Sequence, residues 1–219
     1  MISKELIQDK FREIQGSICS ALSAETGQEF REDNWDYESG EGGGITRIFT
    51  GDVIEKGGVN YSALNGKLSD KIASKLKGGD AREFYAAGVS LVIHPQNPFV
   101  PTVHMNIRYL ERGGNQWFGG GIDLTPYYPY KPDIITFHKQ LKAVCDKHDP
   151  AYYPEFKKKC DEYFFIKHRN EARGVGGIFF DYLSDDLEKT FQFVLDVGNT
   201  FNGLYIPFLS RYKNKVYSE

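Results

Sequence analysis

Two runs with a period of two restrict the fold of this chain more than anything else in it. Residues 88–94 (GVSLVIH) and 102–110 (TVHMNIRYL) alternate apolar and polar side chains. Successive side chains on a strand point to opposite faces, so such runs read as half-buried strands. His104, Asn106 and Arg108 then share one side, with Val103, Met105 and Ile107 on the other. The preceding run repeats the pattern: Ser90 and His94 lie opposite Val89, Leu91 and Ile93. If PQNPFVP, residues 95–101, is a tight connection, five polar side chains converge on one patch of sheet. A lone strand histidine or arginine is more often a structural hydrogen-bond or ion-pair residue. Five together point to recognition. A guanidinium matches a carboxylate in bidentate fashion, an amide donates or accepts, and an imidazole moves a proton near neutral pH.

The rest of the chain reads as an α+β domain. Ile2, Leu6, Phe11, Ile14, Ile18 and Leu22 recur at helical spacing, and Gly27 stops that helix. EFREDNWDY and GITRIFTG flank the glycine-rich ESGEGGG, which suggests a hairpin with a mobile tip. GGVNYSALNGKL continues as strand and turn, and residues 67–78 read as a short, solvated surface helix. A third strand is expected over 116–124. Two helices follow, one with Ile134, Phe137, Leu141 and Val144 on its apolar face, the other opening at Pro154 and closing at Gly174. After a strand in GVGGIFFDYL comes a last helix through Leu187, Phe191, Val194, Gly198, Phe201 and Tyr205, which Pro207 ends or kinks. This order predicts one domain over 1–219, a large, mostly antiparallel sheet flanked by helices on both faces.

Composition excludes several classes. With 40% hydrophobic residues among 219 the chain buries a real core. Lys plus Arg number 27 against 30 for Asp plus Glu, so no global basic field recruits nucleic acid or anionic membrane. Cys19, Cys145 and Cys160 lack CxxC or zinc spacing and read as buried thiols in a reducing compartment. No apolar run reaches membrane-spanning length, and a cytoplasmic location is expected.

A second signal is WFGGGIDLTPYY, residues 117–128, which places three glycines inside a strand just before Asp123. Each costs roughly 0.5–1 kcal/mol relative to alanine, so close approach of a ligand or another backbone is expected to compensate, or else the tract marks a bulge with a capping Asp. It is not a phosphate loop, since the Walker lysine and GxGxxG spacing are missing. His138, beside Phe137 and Leu141, and His168 read as buried, hydrogen-bonded histidines, and His148 as a surface residue near a helix end. No HExxH or similar spacing links the histidines into a metal site.

At these residues the sequence resembles oxygen-dependent coproporphyrinogen III oxidase. The matching stretches are GEGGGITRIFTGDVIEKGGVNYSALNG, GVSLVIHPQNPFVPTVHMNIR, WFGGGIDLTPYY and KKKCDEYFFIKHRNEARGVGGIFFDYL, which span most of residues 41 to 183. The resemblance implies a haem-pathway enzyme that oxidatively decarboxylates two propionates of coproporphyrinogen III to vinyl groups, giving protoporphyrinogen IX. Dioxygen is the co-substrate, and carbon dioxide and hydrogen peroxide leave. It further implies that Ser90 and the segment Asn106, Ile107 and Arg108 bind substrate, that His104 is a proton donor, and that Asp123 faces the pyrrole nitrogens. Arg108 would orient the reacting propionate. His94, His104, His138 and His168 match divalent-metal positions of some relatives, although the family requires no metal or organic cofactor, so a metal is optional. The family is homodimeric and continues past the last helix with further strands and a Gly-Gly-Arg motif. No such motif occurs before Glu219, so the chain is expected to lack the C-terminal portion, as a truncated chain, a short relative or one half of a partner-completed site. The rival readings are a shortened tetrapyrrole-binding relative without turnover and a histidine-dependent metallohydrolase.

Overall fold

A computed structural model describes residues 2–69, 73, 79 and 81–217. Seven strands follow one another in a single antiparallel sheet in chain order: β1 (Phe30–Asp36), β2 (Gly40–Phe49), β3 (Ile54–Lys67), β4 (Glu83–Pro95), β5 (Thr102–Arg112), β6 (Asn115–Thr125) and β7 (Gly177–Leu183). Connections of two to six residues make hairpins of β1–β2, β2–β3, β4–β5 and β5–β6, while residues 68–82 join β3 to β4 and residues 126–176, which carry two helices, return the chain to pair β7 with β6. The described helices are α1 (Lys4–Thr26), α2 (Lys131–His148), α3 (Tyr152–Tyr163) and α4 (Leu187–Tyr212).

The alternation decides which face is covered. Val89, Leu91 and Ile93 of β4 and Val103, Met105 and Ile107 of β5 are buried, as the period of two predicts. Against that face lie the apolar stripes of α1 (Phe11, Ile14, Ile18, Leu22) and α4 (Phe191, Val194, Phe201, Tyr205). Each side chain so buried contributes about 1.5–3 kcal/mol. Gly198 of α4 sits where a Cβ would meet Ile107 and Ile14 at 2.9 Å, so its lack of a side chain lets α4 lie close to β5 and α1. Gln15, 1% exposed, donates from its amide to the carbonyls of Ile45 and Val59 at 2.8 and 2.9 Å and ties α1 to β2 and β3. Capping closes α1 at both ends: the Ser3 hydroxyl accepts from Leu6 N, and Gly27, at φ 71°, takes the left-handed position.

The α+β architecture and antiparallel sheet agree with the sequence reading, while the helices are distributed less evenly than expected. Stripes of α1 and α4 cover one face. Helix α3 rounds the β7 edge: Phe156 packs with Phe180 and Phe193 on that covered face, while Tyr163, at its end, stacks on Phe179 of the opposite face. That opposite face carries serine, asparagine, histidine, arginine and glycine, so it has little apolar area for a helix to bury.

Other boundaries depart locally. Glycines 40 and 42–44 belong to β2 rather than to a mobile tip; the turn is 37–39, and the Trp35 ring occupies the space of a Gly44 Cβ. Helix α3 stops at Tyr163 instead of reaching Gly174, and the intervening segment holds only the bridge between Ile166 and Glu171. Pro207 stands inside α4. Leu204, Tyr205, Phe208 and Leu209 are all buried around it, which offsets the cost of about 3 kcal/mol for a proline in a helix. Leu6 is 44% exposed and Ile7 takes its place in the core. Most of the short helix expected over 67–78 lies outside the described residues. No described helix is long and apolar enough to cross a membrane.

Candidate functional site

Strand register assembles the polar face in rows. Asn60, Ser90, Asn106, Gly121 and Phe179 pair in succession across β3 to β7. The next row runs Val92, His104, Asp123 and Gly177, and a third aligns Gly88, Arg108 and Gly119. A cavity of about 340 Å³ opens over these rows, walled by Tyr163, Phe164, Arg173 and Phe179 at the β7 side. That lies at the lower end of the roughly 300–1,000 Å³ of small-molecule sites, so a larger ligand would extend over the open sheet.

Asp123 is the deepest charge, its side chain 3% exposed. Arg173 donates to both its oxygens, Nη2 to Oδ1 at 2.7 Å and Nε to Oδ2 at 3.1 Å. The same guanidinium lies 3.6 Å from the centre of the Phe164 ring. His104 faces the pair from β5, with Nδ1 3.6 Å from Asp123 Oδ2. That separation is too long for a hydrogen bond, and Nδ1 is buried without a partner among the described residues. Such an orphan normally costs about 1–3 kcal/mol and marks a place for a water or ligand atom.

A second charge pair lies two rows away. Arg108 donates from Nη1 to Asn106 Oδ1 at 2.8 Å, and its Nη2 is 2.9 Å from Asp181 Oδ2. Asn106 donates in turn to the Val89 carbonyl at 3.4 Å. The three glycines of β6 are accounted for by protein neighbours: a Cβ at Gly120 or Gly121 would meet the Asn106 or Ile178 carbonyl at 2.5 Å, and one at Gly119 would meet Asp181 and Arg108. Close backbone approach is thus the reason for Gly120 and Gly121 and side-chain approach for Gly119, and a register shift between Phe118 and Gly120 adds the irregularity also expected there.

The sequence-predicted residues divide cleanly. Ser90, His104, Asn106, Arg108 and Asp123 line the cavity. His94, exposed, neighbours it, its ring edge-on to His104 with centroids 6.4 Å apart. Ile107 departs from its expected role: its side chain is fully buried on the helix-covered face against Gly198, so only its backbone adjoins the site. His138 is a hydrogen-bonded structural residue. Val175 O can only accept, so the Nε2 proton points there, at 3.0 Å, and Nδ1 accepts from Tyr153 OH at 3.1 Å. Burial lowers its pKa, with the Val175 bond opposing. His168 is exposed rather than buried, and His148 is half-buried against Asp196 at 2.8 Å rather than a free surface residue. Among the described residues no three His, Cys, Asp or Glu side chains are grouped to hold a metal ion. With both His138 nitrogens engaged and His168 at the surface, the set His94, His104, His138 and His168 does not fit a divalent-metal site. Burial pushes the Cys160 thiol up to about 12, that of Cys145 up to about 12 and that of Cys19 up to about 11, consistent with inert structural cysteines.

Two charged residues of the site escaped the sequence reading. Arg173 sits in an irregular segment fifty positions from Asp123, where no periodicity signals a partner. Asp181 follows the apolar run of β7, and its alternation with Phe179 was the available cue.

Fold and site together define an α+β protein whose open sheet face gathers two guanidinium–carboxylate pairs and a histidine around one cavity. The chain belongs to the coproporphyrinogen III oxidase family, whose model matches residues 6–219. It is 47% identical, over 241 aligned positions, to a Drosophila melanogaster protein named oxygen-dependent coproporphyrinogen-III oxidase. That alignment covers 98% of this chain and 62% of the relative. A Dictyostelium discoideum protein of the same name is 45% identical over 233 positions, covering 94% of this chain and 70% of the relative. The chain therefore spans somewhat under two thirds of the length of the first relative and somewhat more of the second.

Proposed function

We propose that the open sheet face receives coproporphyrinogen III and converts two of its propionates to vinyl groups, with dioxygen as oxidant, giving protoporphyrinogen IX for haem formation. The observation that carries this reading is the convergence of Arg108, His104 and Asp123 on one face, in a chain whose relatives bear the name of that oxidase.

Arg108 uses only part of its donor set on Asn106 and Asp181, and its remaining N–H groups suit a propionate carboxylate. Ser90 and Asn106, in the adjoining row, are placed for further carboxylate contacts. Asp123 accepts one bond from Arg173 on each oxygen and keeps lone pairs for pyrrole N–H groups. Held there, it can take a pyrrole proton and leave the ring electron-rich enough to react with dioxygen. Each conversion breaks the bond to one carboxyl carbon and removes one hydrogen from the carbon next to the pyrrole. Two electrons pass to dioxygen, which takes up two protons and leaves as hydrogen peroxide. His104, its Nδ1 beside Asp123, is placed to supply or collect a proton. The reduced macrocycle furnishes the electrons, so no metal or organic cofactor is needed. Action as one domain, dimerisation and a cytoplasmic location belong to the same proposal.

Aerobic incubation with coproporphyrinogen III, followed by oxidation and fluorescence detection of vinyl porphyrins, tests it against an anaerobic control. Saturable binding with no vinyl product would instead favour a tetrapyrrole carrier.

A further inference from the structure

Asp181 takes no part in the chemistry above, yet several irregularities of the fold converge on it. Its Oδ2 lies 2.9 Å from Arg108 Nη2, and its Oδ1 accepts from the backbone N–H of Tyr182 at 2.9 Å. Tyr182 has φ 58°, one of two positive values outside glycine among the described residues, and an aromatic side chain is poorly tolerated there. Its ring stacks on Trp117, centroids 5.2 Å apart, which holds the turn in place. The register shift between Phe118 and Gly120 falls at the same point of the β6–β7 ladder. Gly119 clears the floor beneath: a Cβ there would meet Asp181 Oδ1 and lie 2.9 Å from Arg108 Nε. A strained residue, a bulge and a glycine all permit one contact.

We propose that Asp181 is the positioning residue for Arg108, holding its guanidinium flat over Gly119 so that the donors left free are aimed at a ligand carboxylate. The inference rests on the open face being the substrate site. Asn106 secures one terminal nitrogen of the guanidinium and Asp181 the other, and five N–H donors exceed what these two contacts use. A fixed fork loses less rotamer freedom when a carboxylate binds. The alternative consequence of the same pair is competition, in which Asp181 occupies Arg108 and must be displaced. The two differ in sign: removing Asp181 weakens ligand binding if it positions, and strengthens it if it competes.

The test uses coproporphyrin III, the stable oxidised macrocycle with the same four carboxylates, in fluorescence titrations, alongside steady-state turnover of coproporphyrinogen III. Asp181→Ala is expected to raise Kd and KM at least about tenfold, within the range spanned by a charge-assisted hydrogen bond, with kcat falling less. Asp181→Asn, which keeps an acceptor oxygen, is expected to do the same more weakly. In an Arg108→Leu background either change should alter Kd less than about twofold, because the residue it acts through is gone. Unchanged or tighter binding by Asp181→Ala overturns the proposal, as does a loss of equal size in the Arg108→Leu background. If Asp181→Ala does not fold, the isosteric Asp181→Asn carries the same comparison. Binding without turnover by the wild-type chain would refute the oxidase reading alone, since the titrations still decide the role of Asp181. Failure of the wild type to bind coproporphyrin III overturns both.

Discussion

Replacing Arg173 with leucine would leave the Asp123 carboxylate, 3% exposed, without the cation that donates to both its oxygens. Two charges about 4 Å apart attract by about 4 kcal/mol at an effective dielectric of about 20. Stripping one member from a fully buried pair costs about 3–5 kcal/mol. Arg173 is itself 28% exposed, so water enters where the guanidinium was, and the expected loss falls to about 2–3 kcal/mol. For a chain of this size each kcal/mol moves the unfolding midpoint by about 2–4 °C, so Arg173→Leu should lower it by roughly 5–10 °C. Scanning calorimetry at neutral pH reads this directly. Adding Asp123→Asn to Arg173→Leu removes the stranded charge and should restore at least about half of the loss, by the coupling expected of contacting residues. A midpoint within about 2 °C of wild type for Arg173→Leu, or strictly additive effects in the double variant, would refute the assignment of these two residues as a buried pair.

Gly198→Ala places a methyl group 2.9 Å from both Ile107 and Ile14, and overpacking of this kind should destabilise by about 1–3 kcal/mol, read as a lower urea midpoint at unchanged slope. His138 has a folded pKa below its unfolded value because burial disfavours its charge. The unfolded state then binds more protons, so stability is full above the unfolded pKa, near 6.5, and declines as pH falls through it toward the folded value. Unfolding midpoints measured from pH 7.5 to 5 should fall more steeply for wild type than for His138→Gln; equal slopes would contradict this. Cys145 and Cys160, pushed up to about 12 by burial, and Cys19, at about 11, should resist iodoacetamide in the native state and label only after denaturation. Rapid native labelling of any one of them, seen by mass spectrometry, would show that the thiol is accessible.

How far sequence reaches into this structure depends on the range of each interaction. The alternation in 88–94 and 102–110 is local, and it correctly divided His104, Asn106 and Arg108 from Val103, Met105 and Ile107. Helical spacing likewise identified the Phe191, Val194, Phe201 and Tyr205 stripe of α4. The reading of glycine-rich tracts as turns fails where neighbours supply the missing contacts: the Trp35 ring fills the space over Gly44, so a tract that reads as a loop is strand. Pro207 stays inside α4 because burial on both sides outweighs one lost hydrogen bond. Ile107 shows the limit of carrying a motif over residue by residue, since strand geometry turns its side chain away from its two neighbours. Arg173 is tied to the site by a tertiary contact from an irregular segment that no local pattern expresses, whereas for Asp181 the alternation with Phe179 gives its face but not its pairing with Arg108 across the bulge.

Release of labelled carbon dioxide from coproporphyrinogen III carrying carbon-13 in its propionate carboxyls is the most direct measurement. Under air the wild-type chain should release two labelled molecules for each divinyl product, and Arg108→Leu and Asp123→Asn should reduce that release by at least about tenfold. Tight binding of the macrocycle by the wild type with no labelled gas evolved, or undiminished release by both variants, would contradict the assignment of this sheet face as the site of decarboxylation.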